Sequence, residues 1–175
     1  MSNTAVQQDA RPVTSHRAPQ DLYRILVIRE SGSELLVASE RPPFTLPCVE
    51  IPKWERVAEN LTAAVRKRYG ISAICLFTPD LSATTTGGEQ PLYRVMEPRE
   101  AGTAVSDEMR WLPLDSISDQ SFADEQDLVA ATGTLRQIAE FQNGEVTHPF
   151  GRPQWIEQLL VWIQYGIEPL SLIHI

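Results

Sequence analysis

The sequence predicts an α/β fold, and three observations carry that prediction. Aliphatic runs of strand length recur at residues 22–29, 34–38, 71–77, 91–96 and 107–114. Two longer stretches, near residues 52–69 and 125–143, repeat their apolar residues at three- and four-residue steps, the period of an amphipathic helix. At 175 residues, 42% hydrophobic and 22% charged, the chain has the size and composition of one soluble globular domain with appendages.

Charge and cysteine usage remove several function classes. A formal charge of −8 and a pI near 4.9 oppose a nucleic-acid binder that works by neutralising phosphates. No apolar run is long enough to span a bilayer. The N-terminus lacks the continuous apolar segment of a signal peptide. Cys48 and Cys75 have neither a disulfide-framework nor a zinc-ligand spacing, and Cys75 lies in an apolar run as a small core residue. These features predict a cytoplasmic protein with neither nucleic acid nor membrane as partner.

Residues 1–20 are polar, hold Pro12 and Pro19, and show no apolar period, which predicts a disordered leader. His16 stands there without a neighbouring ligand. Residues 22–29 and 34–38 form two strands joined by the turn Glu30-Ser31-Gly32-Ser33. Pro42 and Pro43 then break the pairing.

Residues 46–71, LPCVEIPKWERVAENLTAAVRKRYGI, read as a strand end, a proline-marked turn and a helix. Val57, Leu61, Ala64 and Val65 share one helical face. Pro52 suits the first turn, and Gly70 suits the left-handed position after the last. Arg66, Lys67 and Arg68 crowd the last turn, where positive charge complements the helix dipole.

A strand at residues 71–77 stops at Thr78-Pro79-Asp80. The Gly87-Gly88 loop lacks the following helix that a phosphate cradle needs, so it reads as a hairpin connection to residues 91–96. Residues 107–114 give the last strand, and Leu128, Ala131, Leu135 and Ile138 give the second helix its face, closed by Asn143-Gly144. Gly133 inside that helix costs about 1 kcal/mol against Ala, which predicts close packing there. After a linker at 145–154, Trp155, Ile156, Leu159, Leu160, Trp162 and Ile163 give a third amphipathic helix at 155–165, stopped by Gly166 and Pro169.

The frame of residues 46–71 resembles the Nudix box, the signature of hydrolases that cleave nucleoside diphosphates linked to another group. That box reads G-x5-E-x7-R-E-U-x-E-E-x-G-U, with U aliphatic. Without a gap, Glu55 takes its first glutamate, Val65 the middle aliphatic, Gly70 the late glycine and Ile71 the last aliphatic. Pro47 falls where the family's proline stands. Val49 replaces the opening glycine, Ala63-Ala64 the Arg-Glu pair, and Lys67-Arg68 the Glu-Glu pair. The hairpin before the box and Trp111-Leu112-Pro113-Leu114 after it are also similar to the family's order. The resemblance implies a Nudix-like α/β/α sandwich with a mixed sheet over residues 21–144, to which the third helix is extra.

In the family, the box carboxylates hold Mg²⁺ against the substrate's diphosphate. Lys67 and Arg68 bring the opposite charge. At about 4 Å and an effective dielectric near 20, each repels a unit charge by roughly 4 kcal/mol and a divalent ion by about twice that. The resemblance therefore implies a catalytically degenerate domain, with no cofactor, that serves as a binding, regulatory or structural module. Arg66, Lys67 and Arg68 are its candidate ligand-binding residues, for a nucleotide or another phosphorylated small molecule. The alternative is an active pyrophosphohydrolase with relocated ligands, in which Glu55, Glu59 and Glu108 are the candidate catalytic carboxylates and Mg²⁺ the cofactor. Residues 145–169 are expected to open a further domain, one resembling a phosphotransferase, that packs on the 155–165 helix. Residues 170–175, LSLIHI, match the translation of a sequencing-library transposase end, which implies a scar and a gene cut near Pro169.

Overall fold

A computed structural model of the chain describes residues 19–29, 32–39, 41–53, 56–81, 91–100, 105–119, 121–143 and 153–171, with side chains up to residue 164. The predicted leader (all but Pro19 and Gln20), the Gly87-Gly88 loop, Glu55, most of the linker and residues 172–175 lie outside them.

Strand β1 (Gln20–Arg29) organises the sheet. One of its edges pairs in parallel with β5 (Leu92–Pro98), Tyr23 opposite Leu92 through Val27 opposite Met96. Its other edge is shared. Residues 20–24 pair antiparallel with β3 (Cys48–Pro52), and Ile28 and Arg29 pair with β2 (Glu34–Ala38) across the predicted hairpin. Strands β4 (Ala73–Cys75) and β6 (Met109–Pro113) extend the sheet on either side, pairing antiparallel with β5 and β2. The fold class is the one expected, α/β with a mixed sheet.

Alternation along β1 divides the core. Tyr23, Ile25 and Val27 join Val49, Ile51, Met96 and Met109 on one face, where helix α1 (Val57–Tyr69) adds Leu61 and Val65. Leu26 and Ile28 join Leu35, Val37, Tyr93 and Val95 on the other, where helix α2 (Glu125–Gln142) adds Ala130, Ala131 and Ile138. Burying each large aliphatic side chain contributes about 2 kcal/mol, so each helix is held chiefly by its apolar stripe. Gly133 is buried because the Asp80 carbonyl would lie 2.8 Å from a Cβ there. The close packing read from the sequence is thus a helix-to-loop approach.

Three element boundaries differ from expectation. Pro52 ends β3 opposite Gln20 instead of opening the helix. It lies at a strand end, where a missing N–H is tolerated, and the helix begins five residues later, after Arg56. The strand expected at residues 71–77 is regular only over Ala73–Cys75. Beyond it the chain stays tied to β5 through Leu76 N–H to Val95 O and Val95 N–H to Phe77 O, at 2.9 Å each. The third helix, α3 (Trp155–Ser171), runs through Gly166 and Pro169. Glycine is permissive rather than breaking, and Pro169, lacking an N–H, forgoes one hydrogen bond in the last turn. After β6 the chain makes a 3-10 turn at Leu114–Ser116.

Candidate functional site

The C-terminal turn of α1 is built by three local choices. Gly70 takes the left-handed conformation at φ 73° and donates its N–H to the Arg66 carbonyl at 2.9 Å, closing the helix. Tyr69 turns inward. Its hydroxyl donates to the Cys48 carbonyl at 2.8 Å and accepts from the Cys48 N–H at 2.9 Å, fastening the helix end to the start of β3. Burial pushes the Tyr69 hydroxyl above its ordinary pKa, against the opposing effects of the Cys48 bond and the Arg68 charge. With Tyr69, Val65 and Leu61 facing in, Arg66, Lys67 and Arg68 are all exposed. The Arg68 guanidinium stands 5.5 Å from the Tyr69 ring centroid, a cation–π distance.

Of the predicted carboxylates, Glu59 and Glu108 lie on separate elements. Glu59 is in the first turn of α1, 69% exposed and 3.3 Å from Arg56. At 1.5 Å per residue, it lies roughly 12 Å along the axis from Lys67. Glu108 is exposed in the turn before β6, where its carbonyl accepts the Ser39 N–H at 3.1 Å. Glu55 lies outside the described residues. In the box frame, the two alanine positions are an exposed Ala63 and a half-buried Ala64 that packs on the α1 core. Among the described residues, no group of three or more His, Cys, Asp or Glu side chains is placed to hold a metal ion.

A second polar constellation sits on the other face of the sheet. Arg24 and Tyr93 are cross-strand partners on β1 and β5. The Arg24 Nη1 donates to Asp124 Oδ2 and Asp127 Oδ1, at 2.6 Å each, and the Tyr93 hydroxyl donates to Asp127 Oδ1 at 2.9 Å. Asp124 also caps α2, its Oδ1 accepting the Gln126 N–H at 2.9 Å. Burial opposes both charges. The two carboxylates nevertheless hold the Arg24 pKa above its ordinary value. Burial and the adjacent Asp127 raise Tyr93. The Arg24 and Gln126 hydrogen bonds outweigh burial at Asp124 and hold its carboxyl below the usual range. Bonded to one another across β1, β5 and α2, these side chains clamp the sheet to the helix.

Sequence reading missed that clamp. Arg24 falls within an aliphatic strand run, and nothing local connects it with residues 100 positions away. The one local sign was Asp124 itself, a capping residue type directly before a helical period.

No protein-family model and no curated protein matches the chain by sequence. By structure, the chain is similar to Nudix proteins. A MutT protein from Methanosarcina mazei Go1 is 14% identical with a TM-score of 0.49, the alignment covering 70% of this chain and 96% of that one. An ADP-ribose pyrophosphatase from Streptococcus suis is 11% identical with a TM-score of 0.47, covering 75% and 96%. A Nudix hydrolase from Nitrosomonas europaea is 13% identical with a TM-score of 0.47, covering 74% and 75%. Among the described residues, no helix is long and apolar enough to cross a membrane.

Proposed function

We propose that this is a Nudix-like domain that has lost metal-dependent diphosphate hydrolysis and acts as a binding, regulatory or structural module. The observation that carries the reading is the exposed Arg66-Lys67-Arg68 turn at the place where the box carries metal-binding glutamates. Mg²⁺ requires several oxygen ligands that offset its charge. Glu59 is the sole acidic residue of α1, and it points to solvent about two turns away from that end. The described residues of α1 do not fit the ion.

The same turn suits an anion. Three cations on one exposed turn attract a phosphorylated small molecule, a nucleotide included, without an intervening metal. The candidate ligand-binding residues are therefore Arg66, Lys67 and Arg68. A thermal-shift screen of the 175-residue chain with nucleoside mono- and diphosphates tests this role. The binding reading predicts a concentration-dependent rise in Tm that Lys67→Glu removes, and no such rise leaves α1 a structural element only. Turnover of a nucleotide-sugar and dinucleotide panel with Mg²⁺ or Mn²⁺ would restore the enzyme reading built on Glu55, Glu59 and Glu108.

A further inference from the structure

The sheet face opposite α1 carries another feature, at the edge where β4 meets β5. Ile74 and Glu97 are cross-strand partners there. Alternation turns both away from α1, since their neighbours Ala73, Cys75 and Met96 pack on that helix's side. The start of α3 is tied to this pair. Gln154 holds the left-handed conformation, at φ 60°, uncommon for a residue other than glycine. From it the Gln154 N–H reaches Glu97 Oε2 at 2.8 Å.

Between these elements lies a cavity of about 460 Å³, within the roughly 300–1,000 Å³ range of small-molecule sites. Ile74, Ile156 and Leu160 give it apolar walls, and Glu97, Glu157 and Arg99 bring charge. Glu97 is 8% exposed. Among the described residues it forms no ion pair, and neither does Glu157. A buried carboxylate without a cation is costly unless its charge is met or removed. Here burial, helped by the neighbouring Glu157 and opposed by the Gln154 bond, pushes the Glu97 carboxyl up. Among the described lining residues two carboxylates stand against one arginine, a balance that favours a cation over an anion.

We propose that this cavity binds a compact organic ammonium with an apolar body. The ammonium group lies between Glu97 and Glu157, and its hydrocarbon portion lies against Ile74, Ile156 and Leu160. The site is separate from the basic turn of α1, on the other face of the sheet, and stands whether or not that turn binds phosphate.

The test is calorimetric titration of the full chain with hexylamine, 1-hexanol and hexanoate at neutral pH. Hexylamine is expected to bind saturably, at least tenfold more tightly than hexanol, with hexanoate weakest. Glu97→Gln is expected to bring hexylamine down to the hexanol level. Glu157→Gln, an exposed change on α3 that leaves Glu97 in place, is expected to weaken hexylamine severalfold without affecting hexanol. Equal binding of amine and alcohol, preferential binding of hexanoate, or no binding of any probe overturns the proposal. So does an unchanged hexylamine affinity in the Glu157→Gln chain, which decides the matter even where Glu97→Gln impairs folding as read by circular dichroism.

Discussion

Arg24 lends one positive charge to two carboxylates and leaves a tyrosine to complete the hydrogen bonding of the deeper one. The Asp127 side chain is 4% exposed and the Arg24 side chain 25%. Removing the Asp127 carboxylate leaves the partly buried guanidinium with Asp124 alone and strands the Tyr93 hydroxyl. Asp127→Ala is expected to cost about 3 kcal/mol, the lower end for breaking a buried pair because Arg24 keeps some water, as read from urea unfolding. Asp124 supplies the pH dependence. Its folded pKa lies below the ordinary carboxylate value, so its contribution is complete above that value and fades as pH falls through the folded one. Asn caps a helix about as well as Asp, so Asp124→Asn removes the charge while keeping the cap. The expected result is a urea midpoint that falls less steeply between neutral pH and pH 3 than that of the unmodified chain. A parallel fall in both chains would contradict the assignment. At this scale the sequence was least legible, because a pair 103 positions apart leaves no periodic trace.

The helices were far more legible, since their determinants are local. The face of Val57, Leu61, Ala64 and Val65, the left-handed Gly70 and the basic last turn of α1 all follow from spacing within four residues. The start of α1 was misplaced because Pro52 suits a first helical turn and a strand end equally well, and only its pairing with Gln20 separates the two. Two predictions belong to these elements. Tyr69→Phe loses both bonds to Cys48 and leaves a strand amide and carbonyl short of a partner, at an expected cost of about 1–2 kcal/mol. Gly133→Ala should destabilise by at least about 1 kcal/mol in urea unfolding, although alanine is the better helix former by a similar amount, since overpacking at the Asp80 carbonyl costs more. A stabilised Gly133→Ala chain would show that the loop at Asp80 yields.

Over the whole molecule, the sheet separates two chemistries. The α1 face pairs a packed helix with a basic exposed turn, and the opposite face holds the Arg24 clamp and the cavity at Glu97. The order of strands and helices was legible from periodicity and turn residues, except for β3, whose residues read only as a strand end and a proline-marked turn. The way β1 shares one edge between β3 and β2 was not, because strand pairing across the chain is a tertiary choice that no local run encodes. Of the apolar face read from the sequence for α3, Leu159, Leu160, Trp162 and Ile163 are exposed.

We propose that α1 keeps the packing face of a helix resembling the Nudix box and carries a cationic end in place of a metal-binding one. The most direct measurement is turnover by the 175-residue chain of nucleotide sugars, dinucleotides and ADP-ribose with Mg²⁺ or Mn²⁺. The account predicts product release no faster with the chain than with buffer and metal alone, across the whole panel. Metal-dependent turnover that Glu55→Gln abolishes would contradict it.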